Sequence, residues 1–283
     1  MAAPLSEKQK RSLFRLLSDD DATTLRLVKD QLYGFGNEAV PQYEEWIKEV
    51  RGTPVEQHLI EVLHHLKRGG CHQAFLDYCA RLRADPHADL EEACFLLAAT
   101  EYSATDMQPC REFLDEMAED ARLALGRDGT PSEMQALSQV IHEKFRFRGN
   151  HDRYYEAENT YLNRVLERRL GIPLTLSLLY LLLGRRLDLE IAGVALPGHF
   201  IVRWRAQFYD PFHQGRLLDE EACRKIVTSR NQEFREEHLA PASHRQIVLR
   251  MLMNLARVYE IEEDRPRLAR IRQYLRALNG AAS

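Results

Sequence analysis

An imidazole and a carboxylate, His199 in Pro197-Gly198-His199-Phe200 and Asp210 in Tyr209-Asp210-Pro211-Phe212, are the residues of this chain best placed to do chemistry. If Arg205-Ala206 forms a two-residue hairpin turn, Ile201 pairs with Asp210. His199 then lies diagonal to the carboxylate, roughly 7 Å away and within side-chain reach. Such a carboxylate fixes the imidazole tautomer and raises its basicity, as in nucleophilic triads. A register slip of one residue would put the two on opposite faces and leave a surface histidine and a turn-forming Asp-Pro. Arg203 falls on the His199 face, so the three together form a candidate pocket for a carboxylate or an acidic peptide. His213 follows Asp210 by three residues, but no metal-ligand spacing stands out, and neither a metal nor a cofactor is expected.

The second chemical stretch precedes that hairpin. Pro173 in Gly171-Ile172-Pro173 suits a helix start, where free N–H groups favour an anion or a thiolate. Leu176, Leu179, Tyr180 and Leu183 make the helix a buried one. Thr175 and Ser177 lie in its first turns, so a nucleophile there would face His199 and Asp210. Upstream stand Asn159, Asn163, Arg168 and Arg169. The two asparagines share a face if their segment is one helix. Each suits either substrate contact or the plainer task of tying loops to backbone groups. Arg168 and Arg169 sit near a helix C-terminus, which favours cations regardless of any ligand.

Around these stretches the patterning is helical. Residues 5 to about 145 read as successive helices: a Ser6 capping box, a second helix capped by the Ser18–Asp21 run, and a break at Gly69-Gly70 that ends a fourth helix. A later helix starts with Thr130 as cap and Pro131 in its first turn. Residues 191–194, 199–204 and 207–209 are short, alternating and β-branched or aromatic, and read as strands. Two further helices, carrying Leu249 to Tyr259 and Leu268 to Leu278, meet at Asp264-Arg265-Pro266 and pair like a tetratricopeptide unit. The expected organisation is an N-terminal helical module over 1–85, resembling a HEAT stack without a fixed period, a central domain over 86–235, and a helix pair over 236–283.

Composition is that of a globular chain: 283 residues, 45% hydrophobic and 29% charged. A net charge of −4 argues against nucleic acid or an anionic membrane as partner. The start, Met1 to Lys8, has no apolar signal-peptide region, and the longest apolar run is too short to span a bilayer. The five cysteines are scattered without Cys-x-x-Cys spacing, so neither a disulfide framework nor a zinc site is indicated and a reducing cytoplasmic location fits best. Oligomeric state is not legible.

The order of a helix, a strand, a Gly-His strand and an Asp-Pro strand resembles the transglutaminase-like, papain-like fold. The wording Phe147-Arg148-Gly149-Asn150, Asn159 to Ser177 and Pro197-Gly198-His199-Phe200 is similar to the bacterial SirB-type family, over about residues 88–278. The resemblance implies an α+β fold: a papain-like core with a small antiparallel sheet, flanked by HEAT-like and tetratricopeptide-like helices. It also implies a catalytic order of Cys at a helix start, then His, then Asp. His199 and Asp210 match the last two places; residues 173–177 contain no Cys. The expectation is therefore a non-catalytic cleft that binds a protein or peptide, with Asn159, Asn163, Arg168, Thr175, Ser177 and Arg203 as binding residues. The alternative is an acyl-transfer or amide-hydrolysing enzyme using His199 and Asp210 with Ser177, Thr175 or a distant cysteine.

Overall fold

The structure is a computed structural model and describes residues 6–125 and 132–280. Twelve α-helices and six short strands form among them. They are α1 (Glu7–Leu17), α2 (Ala22–Gly34), α3 (Val40–Glu49), α4 (Pro54–Ala84), α5 (Leu90–Glu101), α6 (Gln108–Leu125) and α7 (Glu133–Ser138). Then follow β1 (Arg148–Gly149), α8 (Leu162–Arg168), β2 (Leu170–Gly171), α9 (Pro173–Arg186), β3 (Ile191–Val194), β4 (Ile201–Trp204), β5 (Gln207–Asp210), β6 (Arg216–Leu218), α10 (Glu220–Thr228), α11 (His244–Ile261) and α12 (Arg265–Asn279). No helix among the described residues is long and apolar enough to cross a membrane.

The chain divides into two compact units, one comprising residues up to Phe75 with Ala99–Thr105, the other Leu76–Ala98 with the chain from Asp106 onward. The first is helical. Ser6 and Gln9 cap each other at the start of α1, and Asp21 accepts the Thr24 N–H at 2.7 Å to start α2. Leu13, Leu17, Val28, Leu32, Tyr43, Trp46, Leu59 and Val62 form its core. The expected break at Gly69-Gly70 does not occur, because α4 runs through both glycines. A glycine in a helix costs only about 1 kcal/mol. At Gly70 a Cβ would lie 2.5 Å from Asn37 Nδ2, so the glycine leaves room for that side chain.

The second unit is built on α9. Its leucines at 174, 176, 178, 179, 182 and 183 are buried all round, each contributing about 2 kcal/mol of burial. One neighbour is an antiparallel meander in the order β3-β4-β5-β6, against which α9 packs. The turn between β4 and β5 is the expected Arg205-Ala206 pair: Trp204 faces Gln207, Val202 faces Tyr209, and Arg205 is left-handed at φ +54°. β1 and β2 form a separate two-residue parallel pair.

Thr130 and Pro131 lie outside the described residues. Ser132 caps α7 in a capping box with Gln135, and the helix continues as a π-helical turn over Gln139–Lys144. Asn159 and Asn163 do not share one helix. Asn159 ends a 3-10 turn, and extended backbone at Tyr161 separates it from α8. At the C-terminus Asp264 accepts the Arg267 N–H at 2.9 Å, Pro266 occupies the first turn, and α12 packs back on α11.

Candidate functional site

β5 ends at Asp210 because Pro211 cannot continue the ladder and opens a 3-10 turn over Pro211–His213. Asp210 caps that turn, its Oδ1 accepting the N–H groups of Phe212 at 3.1 Å and His213 at 3.4 Å. Oδ2 meets two imidazoles, His199 Nε2 at 3.0 Å and His213 Nδ1 at 2.7 Å. The carboxyl is fully buried. Burial alone would raise its pKa. The bonds and charges of His199, then His213, outweigh that and hold it below the ordinary carboxylate value. An ionised carboxylate only accepts, so His199 carries its proton on Nε2 and His213 on Nδ1. His199 Nδ1 has no hydrogen-bond partner among the described residues.

Phe212 is the wall of this site. Its ring lies 6.2 Å from that of His199, 5.4 Å from His213, 4.6 Å from His151 and 6.2 Å from Tyr154. His151 and Tyr154 come from the loop after β1, which asparagines hold in shape. Asn150 Nδ2 donates to Asn159 Oδ1 at 2.9 Å, and Asn159 Nδ2 donates to the carbonyls of Arg153 at 2.7 Å and Tyr154 at 3.1 Å. Behind the wall, His142 on the π-turn bonds the Phe147 carbonyl at 2.8 Å and the Tyr180 hydroxyl at 3.0 Å, and Tyr180 bonds Ser138 at 2.8 Å. This chain joins α7, α9 and the strand that launches the loop.

The transglutaminase-like superfamily model matches residues 108–253, more than half of the chain and all of this site. A UPF0162 protein of Xylella fastidiosa strain Temecula1 is 34% identical over 203 residues, which cover 66% of this chain and 70% of the relative. This chain belongs to the transglutaminase-like superfamily, in the UPF0162 family. A second such protein, from strain 9a5c, is 35% identical over 192 residues, covering 62% of this chain and 66% of its own length. The chain therefore spans about two thirds of these curated relatives. The F-box only protein 21 of Mus musculus is 33% identical over 106 residues, 33% of this chain but 17% of that protein. No solved structure matches.

In this transglutaminase-like protein the two hydroxyls at the start of α9 are fully buried and engaged by backbone. Thr175 Oγ1 donates to the Asn159 carbonyl at 2.8 Å and accepts the Ile172 N–H at 3.0 Å. Ser177 Oγ donates to the Phe200 carbonyl at 3.3 Å. Burial pushes the thiol of Cys79 up to about 12 and that of Cys223 up to about 11, and also raises those of Cys94, Cys71 and Cys110.

The other candidates are spread out. Arg168 is paired with Glu156 at 2.5 Å and Glu158 at 2.9 Å. Asn163 is buried, and its Oδ1 has no hydrogen-bond partner among the described residues. Arg203 faces Phe208, and no hydrogen bond or ion pair joins it to His199 or Asp210 among those residues. His213, by contrast, joins the His–Asp pair. The signal was its place three residues after Asp210 across a proline, which a tight turn folds back. Two imidazoles and a carboxylate with donor atoms within 4.8 Å are a set that suits a divalent transition ion. Such an ion would have to displace the protons both imidazoles now direct at Oδ2.

Proposed function

We propose that this transglutaminase-like protein is a binding protein of the SirB type, in which the cleft beside His199 receives a protein or peptide segment without cleaving or transferring it. The observation that carries this reading is the commitment of Thr175 and Ser177 to buried backbone bonds. Freeing either hydroxyl for attack would strand a buried carbonyl, at a cost of about 1–3 kcal/mol before any chemistry began. The cysteines offer no substitute, since burial disfavours their thiolates. The helical segments that flank the cleft in sequence, residues 1–85 as a HEAT-like module and 236–283 as a tetratricopeptide-like pair, serve as further protein-binding surfaces. Free cysteines throughout suit a reducing cytoplasmic setting.

The free Nδ1 of His199 favours the rival reading, an acyl-transferring or amide-hydrolysing enzyme with a non-standard nucleophile. Incubation with a serine-directed fluorophosphonate and a cysteine-directed chloroacetamide probe separates the two. The binding reading expects no labelling that depends on His199. Labelling of Ser177, Thr175 or a cysteine that vanishes in His199→Ala establishes the enzyme instead.

A further inference from the structure

Two half-buried arginines elsewhere in this unit show what compensation looks like. Arg169 stacks on Phe113 with its guanidinium carbon 4.0 Å from the ring centre, lies 4.9 Å from that of Phe147, and donates to the Leu166 carbonyl. Arg186 bonds Glu91 and Asp115. Arg250 is also half-buried, yet among the described residues it has no hydrogen bond, ion pair or ring beneath it. The phenol of Tyr154 lies near enough to act on its charge.

The position of Arg250 is set by α11. One turn earlier, the buried Ile247 abuts Gly193 of β3, on which the Phe200 ring also packs. Residues three apart share a helix face, so Arg250 leaves α11 on the side of the segment that carries His199. α11 also packs against the 3-10 turn Ala157–Asn159, whose Asn159 holds the Tyr154 carbonyl. A second guanidinium approaches from the turn after α10. Gly198 is left-handed at φ +73°, and a Cβ there would lie 2.9 Å from Arg230 Nε. Arg230 thus rests on the backbone immediately before His199, and it too is without an ion pair among the described residues. Both arginines act electrostatically on Tyr154, whose ring leans on Phe212 beside His199.

We propose that Arg230 and Arg250, with the Tyr154 hydroxyl, form a binding site for a single oxyanionic group, a carboxylate or a phosphate, on the segment that lies beside His199. This rests on the binding reading of the same cleft and names the chemistry it recognises. A half-buried guanidinium without a counter-charge carries an uncompensated desolvation cost, and an incoming oxyanion removes it. Burial lowers the pKa of Arg250; it acts the same way on Arg186, but there the bonds and charges of Glu91 and Asp115 outweigh it. Two guanidinium forks from different elements suit the planar or tetrahedral oxygens of such a group. The Tyr154 hydroxyl adds a neutral donor, since burial raises its pKa further than the arginine charges lower it.

The test is thermal unfolding of the full chain against rising inorganic phosphate and, in a parallel arm, succinate, at ionic strength fixed with sodium chloride. One or both anions raise the melting temperature above the chloride control. Phosphate alone identifies a phosphate group, succinate alone a carboxylate. Arg250→Met and Arg230→Met keep the aliphatic stem, and each weakens the apparent affinity roughly tenfold. Without added anion, Arg250→Met melts at or above the wild type, because the substitution removes a charge that nothing in the chain compensates. The proposal is overturned if neither anion acts beyond chloride, or if both variants respond as the wild type does. A marked loss of stability in Arg250→Met, revealing an internal partner, also overturns it. Should that variant not fold, the exposed Arg230 carries the same test alone. His199-dependent probe labelling would sink the non-catalytic reading and leave this site standing, whereas a lost anion response sinks this site alone.

Discussion

Two regions of the second unit gather arginines at the surface of the core, and they differ in what answers the charge. Around α5, α6 and the end of α9, Arg186 meets Glu91 at 2.6 Å and Asp115 at 2.7 Å, Arg111 meets Glu91 at 2.9 Å, and Arg185 meets Asp89 at 2.7 Å. The concave surface these residues line looks like a binding site, yet each of these arginines is paired. Beside His199 the neighbouring rings are aromatic, the Asp210 carboxylate is saturated by two imidazoles and two amides, and Arg230 and Arg250 have no ion pair among the described residues. Concavity and charge together are therefore a poor guide to a ligand. An unbalanced charge is a better one.

The largest expected effect comes from unbalancing the balanced region. Glu91→Ala removes the carboxylate shared by Arg111 and Arg186 and leaves the latter half-buried without its main partner. Stability in urea should fall by about 3 kcal/mol. A loss no greater than that from Arg250→Met would erase the distinction between the two regions.

Next in size is Asp210→Asn, expected to cost about 2 kcal/mol because two imidazoles and the turn depend on the charge. The folded-state pKa of Asp210 lies below its ordinary value of 3.8. Its contribution is therefore complete above that value and is lost as pH falls through the lower folded pKa. Urea titrations from pH 6 down to pH 2 should show the wild type approaching Asp210→Asn at the acid end. A gap that stays constant across that range contradicts the lowered pKa.

Thr175→Val is the third, at about 1 kcal/mol for two buried backbone bonds replaced by a methyl group. If Thr175 were a nucleophile, the valine variant would fold normally and lose probe labelling; as a structural hydroxyl it loses stability and changes no labelling.

The hairpin and its His–Asp pair could be read from the sequence because both are local: a two-residue turn and a period of two fix the register. α9 could be read because its apolar run is long. β1, β2 and β6 are two or three residues each, too short for any alternation to show. α4 passes through Gly69-Gly70 with the Asn37 side chain close to Gly70, a tertiary neighbour no propensity encodes. The same holds for the two arginines of the proposed anion site. Arg230 and Arg250 stand on different elements and share no motif with His199, so tertiary packing alone assembles them. Arg203 stood out in the sequence instead because strand alternation placed it on the face of His199.

The smallest expected effect is the one that separates these arginines. Arg203 pairs with Phe208, one register step from the Arg205-Ala206 turn, whereas Asp210 lies at the other end of β5. Four residues of extended chain put roughly 13 Å between it and His199, too far for one small anion to bridge. Arg203→Met should change stability by less than about 0.5 kcal/mol and leave the response to phosphate or succinate as it is in the wild type. Isothermal titration of both variants with the anion that shifts the melting temperature makes the comparison direct. Equal losses in Arg203→Met and Arg250→Met would mean a diffuse positive field attracts the anion, because a built site must distinguish the arginine within reach from the one beyond it.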